Sequence, residues 1–238
     1  MIPAVSIVAL ATDYDETLAS GGEVAPQTLN ALKQLKASGR KLLLITGREL
    51  DDLLHVCPDV EFFDCVIAEN GALLYTPANR DTRFLAPPPS ERLVQVLKER
   101  GVRPLSVGRS IVATLHRNED AVLDAIAETG LAVEIIFNRD ALMILPAGIN
   151  KGSGLEATLK ELGLPRQAVV GLGDAENDEP FLKQCGISVA VANATPEIKD
   201  LADVVTKGER GAGVIEVIEG ILAGTLETLA GREACPRE

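Results

Sequence analysis

The apolar residues of the chain fall into two rhythms. Ser6 to Thr12, Lys41 to Ile45 and Cys65 to Ala68 are short runs without polar alternation, the pattern of strands covered on both faces. Between the first two, Leu29, Leu32 and Leu35 recur at helical spacing across Pro26 to Ser38, with Gly39 as the stop. Leu50 to Val56 predicts a second helix, ended near Pro58. Strand, helix, strand, helix, strand is the order of a parallel sheet with helices on both faces. The alternation resumes late in the chain. Helices are predicted at Gly152 to Leu162, Asp178 to Gln184, Pro196 to Leu201 and Gly211 to Leu222, and strands at Ala168 to Leu172, Ile187 to Val191 and Val204-Val205.

The middle of the chain has a different rhythm. Thr76 to Pro89 is rich in Pro, Asn, Asp and Arg and reads as a linker. Helices at Ser90 to Arg100 and Asn118 to Thr129 are each followed by two short strands. The strands are Arg103 to Val107 and Ile111 to Leu115, then Val133 to Phe137 and Leu142 to Leu145, with Asn138-Arg139-Asp140 as a turn. The expected fold class is therefore α/β: a Rossmann-like parallel core, residues 1–78 and 147–238, with an inserted α+β unit, residues 79–146, of order αββαββ. The tail from Thr225 is expected to fray.

Composition narrows the function. Of 238 residues, 46% are hydrophobic but only 3% are aromatic. The core is thus aliphatic, and platforms for stacking bases are few. A net charge of -12 disfavours nucleic acid and anionic membrane as partners. Cys57, Cys65, Cys185 and Cys235 match neither a zinc spacing nor a CxxC pair, so free thiols in a reducing compartment are expected. The apolar start lacks the positive flank of a signal peptide, and no run is long enough to span a bilayer. A cytoplasmic protein, monomer or homodimer, is expected.

Three polar clusters stand at the carboxyl ends of buried strands, where open parallel sheets bind ligands. Asp13-Tyr14-Asp15-Glu16-Thr17 follows the first strand. Paired carboxylates there can hold a hard cation, attack as a nucleophile or move protons. Thr46-Gly47-Arg48 follows the second strand and can offer a hydroxyl and a close backbone N–H to a phosphate oxygen. Asp174, Glu176, Asn177 and Asp178, behind Gly171-Leu172-Gly173, concentrate three carboxylates and an amide, a group that suits a bound cation. Lys151 opens a helix, where its charge opposes the helix dipole. Each feature alone has an ordinary explanation as turn, cap or solvated side chain. Their joint placement at three strand ends does not.

The set Asp13-x-Asp15-x-Thr17, Thr46-Gly47-Arg48, Lys151 and Gly173-Asp174-x-x-Asn177-Asp178 resembles the haloacid dehalogenase superfamily of phosphohydrolases. The insertion, with Glu69-Asn70-Gly71 before it, resembles the cap of the Cof-type sugar-phosphatase branch. The resemblance covers residues 5 to 222. It implies a phosphatase that hydrolyses a small-molecule phosphate ester, a sugar phosphate or a phosphoglycolate-like acid, through an aspartyl-phosphate. It implies Asp13 as nucleophile, Asp15 as acid and base, Thr46 as phosphoryl ligand and Lys151 as charge compensator. It further implies Mg2+ held by Asp13, the Asp15 carbonyl and Asp174, with Asn177 and Asp178 orienting that shell. Tyr14, Gly47, Arg48 and Asn70 are candidate substrate or phosphate contacts. Arg109, His116, Arg117, Asn138 and Arg139 are cap candidates, more often solvated residues than ligands. Glu16 stands where many relatives have Gly, and it adds negative charge near an anionic substrate unless it points toward the cap. A sugar phosphomutase and a non-catalytic phosphate-binding or regulatory domain are the alternatives.

Overall fold

The structure, a computed structural model, describes residues 6–226. Its main sheet has eight strands. Six run parallel: β1 (Ala9–Asp13), β2 (Lys41–Ile45), β3 (Cys65–Ala68), β10 (Val169–Gly173), β11 (Ile187–Ala190) and β12 (Val204–Val205). Two antiparallel strands, β4 (Leu73–Thr76) and β5 (Asp81–Phe84), extend one edge. The spatial order is β12-β11-β10-β1-β2-β3-β4-β5. The chain thus winds outward from β1 to one side, then returns to the other side at β10. The crevice above β1 and β10 is the topological switch point, where such sheets bind ligands.

Strand periodicity divides the core. Leu10, Leu42, Leu44, Val170 and Leu172 pack against Leu32 and Leu35 of α1 (Pro26–Ala37), Leu50 and Leu53 of α2 (Leu50–Val56), and Val214, Val217 and Ile218 of α8 (Arg210–Ala223). The alternate residues Ala9, Ala11, Leu43, Ile45 and Val169 pack against α5 (Lys151–Leu162), α6 (Glu179–Leu182) and α7 (Pro196–Leu201). With every strand residue of β1 buried, a polar group in this layer is costly unless it is partnered. Among the described residues Cys57, Cys65 and Cys185 are free, and no helix is long and apolar enough to cross a membrane. Cys235, residues 1–5 and nearly all of the tail expected to fray lie outside the described residues.

The insertion follows the αββαββ order: α3 (Glu91–Glu99), β6 (Ser106–Val107), β7 (Val112–Leu115), α4 (Glu119–Thr129), β8 (Val133–Asn138) and β9 (Ala141–Pro146). The four strands form an antiparallel sheet ordered β6-β7-β9-β8. One face packs Val112, Leu142 and Ile144 against Leu93, Val96 and Leu97 of α3 and Val122 and Ala125 of α4. The other face presents Met143 and Leu145, which meet Ala72 beside the main sheet. The stretch read as a linker is not all loop. It carries β5, so the main sheet continues to Phe84, and the expected division at residue 78 falls inside the β4–β5 hairpin. The reason is that β5 is an edge strand. Its residues are largely exposed and show no hydrophobic alternation to read.

Candidate active site

Glycines bring the site together at two places. Gly71 has a left-handed backbone (φ 100°), and a Cβ there would stand 2.0 Å from the Asn150 carbonyl oxygen. Its bareness lets the start of α5 dock against the β3–β4 turn. Asn150 caps that helix, with reciprocal bonds between its side chain and backbone and Ser153. The first residue of α5 is Lys151, now aimed under the sheet's rim. At Gly173 a Cβ would lie 2.6 Å from Asp178 Oδ2, so only glycine lets Asp178 fold back over the end of β10.

The centre is a buried chain of charges. Lys151 Nζ, with its side chain 1% exposed, donates to Asp13 Oδ1 at 2.5 Å and to Asp178 Oδ1 at 2.6 Å. Asp178 Oδ2 accepts the backbone N–H groups of Asp174 and Ala175 at 2.8 and 3.1 Å. Asp174 Oδ1 accepts the Thr17 hydroxyl at 2.9 Å, and Oδ2 accepts from Arg139 at 2.5 Å. One oxygen each of Asp13, Asp174 and Asp178 lies within 4.8 Å of the others. The residues from the first and last clusters therefore converge on one point.

Burial dominates the protonation of this group. It pushes the Asp13 carboxyl well above the usual carboxylate range; the Lys151 charge opposes that, while Asp178 and Asp174 add to it. Asp174 is raised too, by burial and then by Asp178, against the pull of Arg139 and Thr17. Burial by itself would push the Lys151 ammonium down, but the Asp13 and Asp178 charges reverse this and hold it above its ordinary value. Three close carboxylates need more compensation than one ammonium supplies.

The donors fit a hard dication. They are all oxygens, and Asn177 Oδ1 is buried without a hydrogen-bond partner. Asp178 has both oxygens engaged by Lys151 and two backbone N–H groups. It is placed to hold Lys151 and the Asp174 turn in position, as a ligand-orienting group does.

The remaining predicted residues divide. A cleft of about 500 Å³ beside the cluster is lined by Asp13, Asp15, Gly47, Arg48, Glu49 and Asp52 from the core, and by Ser106, Ile111, Ala113, Asn138, Ala141 and Met143 from the insertion. Both oxygens of Asp15 accept from Arg48, at 2.7 and 2.8 Å, and Arg48 also reaches Asp52 at 2.6 Å. Thr46 is buried, and its hydroxyl accepts the Arg48 N–H at 3.1 Å. Asn70 is buried, receives the Asn177 amide at 3.0 Å, and turns its own amide to Met143 of the insertion. Tyr14 is not brought into the cleft. Its ring is buried in the core and its hydroxyl donates to the Gly22 carbonyl at 2.8 Å, so it packs rather than faces a phosphate. Glu16 does not line the cleft, and although its charge acts on Arg139 of the insertion, its carboxylate is paired within the core. It pairs with Arg210 at 2.7 Å.

Of the cap candidates, Asn138 lines the cleft and Arg139 reaches Asp174. Arg109 pairs with Asp51 at the surface. His116 pairs with Glu119, and Arg117 reaches the Arg103 carbonyl. Glu69, named in the sequence only as part of the motif before the insertion, has a role that sequence reasoning did not assign. Its carboxylate is fully buried and accepts the backbone N–H groups of Arg109, Ser110 and Ile111 at 3.0, 2.6 and 3.1 Å. Burial raises its carboxyl, and these N–H groups pull part of the shift back. It fastens the β6–β7 loop of the insertion to the end of β3. The available signal was an acidic residue closing a wholly apolar strand.

Comparison with known proteins agrees with this geometry. A family model described as haloacid dehalogenase-like hydrolase matches residues 10–126 and 127–218. The chain is 33% identical over 229 residues to phosphoglycolate phosphatase 2 of Saccharolobus solfataricus, covering 91% of this chain and 93% of that protein. It is 30% identical over 215 residues to a phosphoglycolate phosphatase of Methanothermobacter thermautotrophicus, covering 88% and 96%. The fold is shared with a haloacid dehalogenase-like hydrolase from Bacteroides thetaiotaomicron, with TM-score 0.77, 19% identity, and 90% and 99% of the two chains covered.

Proposed function

The chain belongs to the haloacid dehalogenase-like hydrolases, and we propose that it is a Mg2+-dependent phosphatase of small phosphomonoesters, with phosphoglycolate-like acids foremost, acting through an aspartyl-phosphate at Asp13. The observation that carries this reading is the convergence of Asp13, Asp174 and Asp178 at the switch point of the sheet, with Lys151 paired to Asp13 and Asp178. The names of the two curated relatives support the substrate class.

Electrostatics supports the metal. The cleft lining carries Asp13, Asp15, Glu49 and Asp52 against Arg48 alone, a field that repels a phosphate dianion. Mg2+ would be held by Asp13, Asp174 and the Asp15 carbonyl. It supplies the positive charge that phosphoryl transfer requires.

The chain's own groups account for the rest. An Asp13 carboxylate oxygen attacks phosphorus as the bond to the leaving oxygen breaks. Lys151 keeps that carboxylate oriented and offsets its charge. Thr46, at the end of β2, offers its hydroxyl to the transferring group. The leaving oxygen takes a proton from Asp15. Asp15 then removes a proton from water, whose oxygen attacks phosphorus and frees Asp13. In the arrangement seen, Arg48 occupies both Asp15 oxygens, so proton transfer requires the pair to part, and Asp52 is placed to retain the guanidinium. The insertion acts as a cap. It presents Ile111, Ala113 and Met143 with few polar groups, which suits a small leaving group and excludes water.

The test is phosphate release from a panel of phosphomonoesters in Mg2+. Release that favours small acids and stops with chelator is expected. Isomer formation without free phosphate would replace the reading with a mutase.

A further inference from the structure

We infer that Arg139, at the tip of the β8–β9 hairpin of the insertion, competes with the divalent cation for Asp174, so that metal loading releases the hairpin from the core. The inference rests on the metal reading proposed above, and it concerns what that reading leaves unexplained: a cap residue sitting on a core carboxylate.

The geometry is specific. Arg139 donates to Asp174 Oδ2 at 2.5 Å. The other Asp174 oxygen accepts from Thr17, so the guanidinium already holds the oxygen that Thr17 leaves. Asp174 is 2% exposed, while Arg139 is 47% exposed. The acid is thus fixed in the core, and the guanidinium is a mobile counter-charge brought to it from outside. The Arg139 backbone N–H also approaches Glu176 Oε2, at 3.5 Å. Both contacts of the hairpin tip therefore land on the same acidic turn, Asp174 to Asp178. Arg139 itself is held in the left-handed region (φ 53°), which a non-glycine residue adopts at a cost when surrounding contacts favour it.

Charge explains why the tip rests there. Asp13, Asp174 and Asp178 lie close together; Lys151 pairs with Asp13 and Asp178, and Arg139 supplies the second positive charge, at Asp174. A guanidinium on Oδ2 and a dication on the same oxygen repel strongly in a buried site. One must leave, and only Arg139 can move into solvent. Its freed guanidinium is then carried by the residue next to Asn138, which lines the cleft. The cation thereby reports its own presence to the cap.

Isothermal titration of chelator-stripped protein with Mg2+ alone tests the competition. Arg139→Ala should bind Mg2+ about tenfold more tightly than wild type, ~1.4 kcal/mol, because the metal no longer displaces a bound cation. Arg139→Lys, which keeps the charge, should stay within about threefold of wild type; it carries the test if the alanine variant fails to fold, since a gain as large as tenfold there would overturn the inference. In wild type, hydrogen exchange of residues 138–141 should speed up on Mg2+ addition. Equal or weaker affinity in Arg139→Ala, or a hairpin tip unmoved by Mg2+ in wild type, overturns the inference and leaves the metal site standing. Absence of Mg2+ binding in both proteins overturns the inference together with the metal reading.

Discussion

Replacing Lys151 by Met removes one buried charge while leaving the fold's volume nearly intact. The unbranched methionine follows the same path as the lysine stem, so a cavity contributes little. What remains is electrostatic: Asp13 and Asp178 lose the ammonium that lies 2.5 and 2.6 Å from them. Breaking a buried ion pair by deleting one partner costs about 3–5 kcal/mol. The cost must also titrate. Burial already raises the Asp13 carboxyl, with Asp178 and Asp174 adding to the shift, and Lys151 is the group that opposes it. Without Lys151 the folded-state value rises further above the unfolded one. An acid raised in this way favours the folded state while protonated, below its unfolded value. That contribution is lost as pH climbs through the folded value. The deficit of Lys151→Met should therefore be larger at pH 8 than at pH 5, with a slope of at most about 1.4 kcal/mol per pH unit for a single proton. Urea unfolding of both proteins at the two pH values measures it. A loss below about 1 kcal/mol, or one equal at both pH values, would refute a charge-balanced centre.

Other substitutions probe the supports of the site. Gly173→Ala places a Cβ 2.6 Å from Asp178 Oδ2; it should cost about 1–3 kcal/mol by overpacking and lower kcat more than it raises KM, and wild-type kinetics would contradict the role given to Asp178. Glu69→Gln turns an amide donor toward backbone donors of the Arg109–Ile111 loop, which should cost about 1–3 kcal/mol and speed hydrogen exchange at residues 108–111; unchanged exchange there would mean that Glu69 does not fasten the cap. Glu16→Gly relieves a left-handed backbone (φ 63°) and gives up a partly exposed pair with Arg210. These opposed effects should leave stability within about 1 kcal/mol of wild type and the turnover of an aryl phosphate unchanged, whereas a several-fold faster enzyme would place the Glu16 charge at the substrate.

The reach of sequence reasoning followed burial. Lys41–Ile45, Leu50–Val56, Cys65–Ala68 and Pro196–Leu201 begin and end where the apolar runs and their proline or polar neighbours place them, because these segments are packed on the core. The β4–β5 hairpin escaped notice. β5 lies at the sheet edge, and backbone pairing holds it where side-chain burial does not. The charged centre was legible because Asp13, Lys151, Asp174 and Asp178 stand at strand ends or helix starts, where order along the chain maps directly onto position in space. Orientation was not legible in the same way. Nothing in the Asp13-Tyr14-Asp15-Glu16 run shows that Tyr14 turns into the core or that Glu16 turns to a helix 194 residues away. Tyr14 is held by the Gly22 carbonyl and Glu16 by its positive φ and Arg210, contacts made only in the folded chain.

The most direct measurement of the central claim is acid quenching during turnover of a 32P-labelled phosphomonoester with Mg2+, followed by mapping of the labelled peptide. Label on the peptide carrying Asp13, absent from Asp13→Asn, is the expected result. Steady phosphate release with label on another peptide, or undiminished release by Asp13→Asn, would contradict a nucleophile at the end of β1.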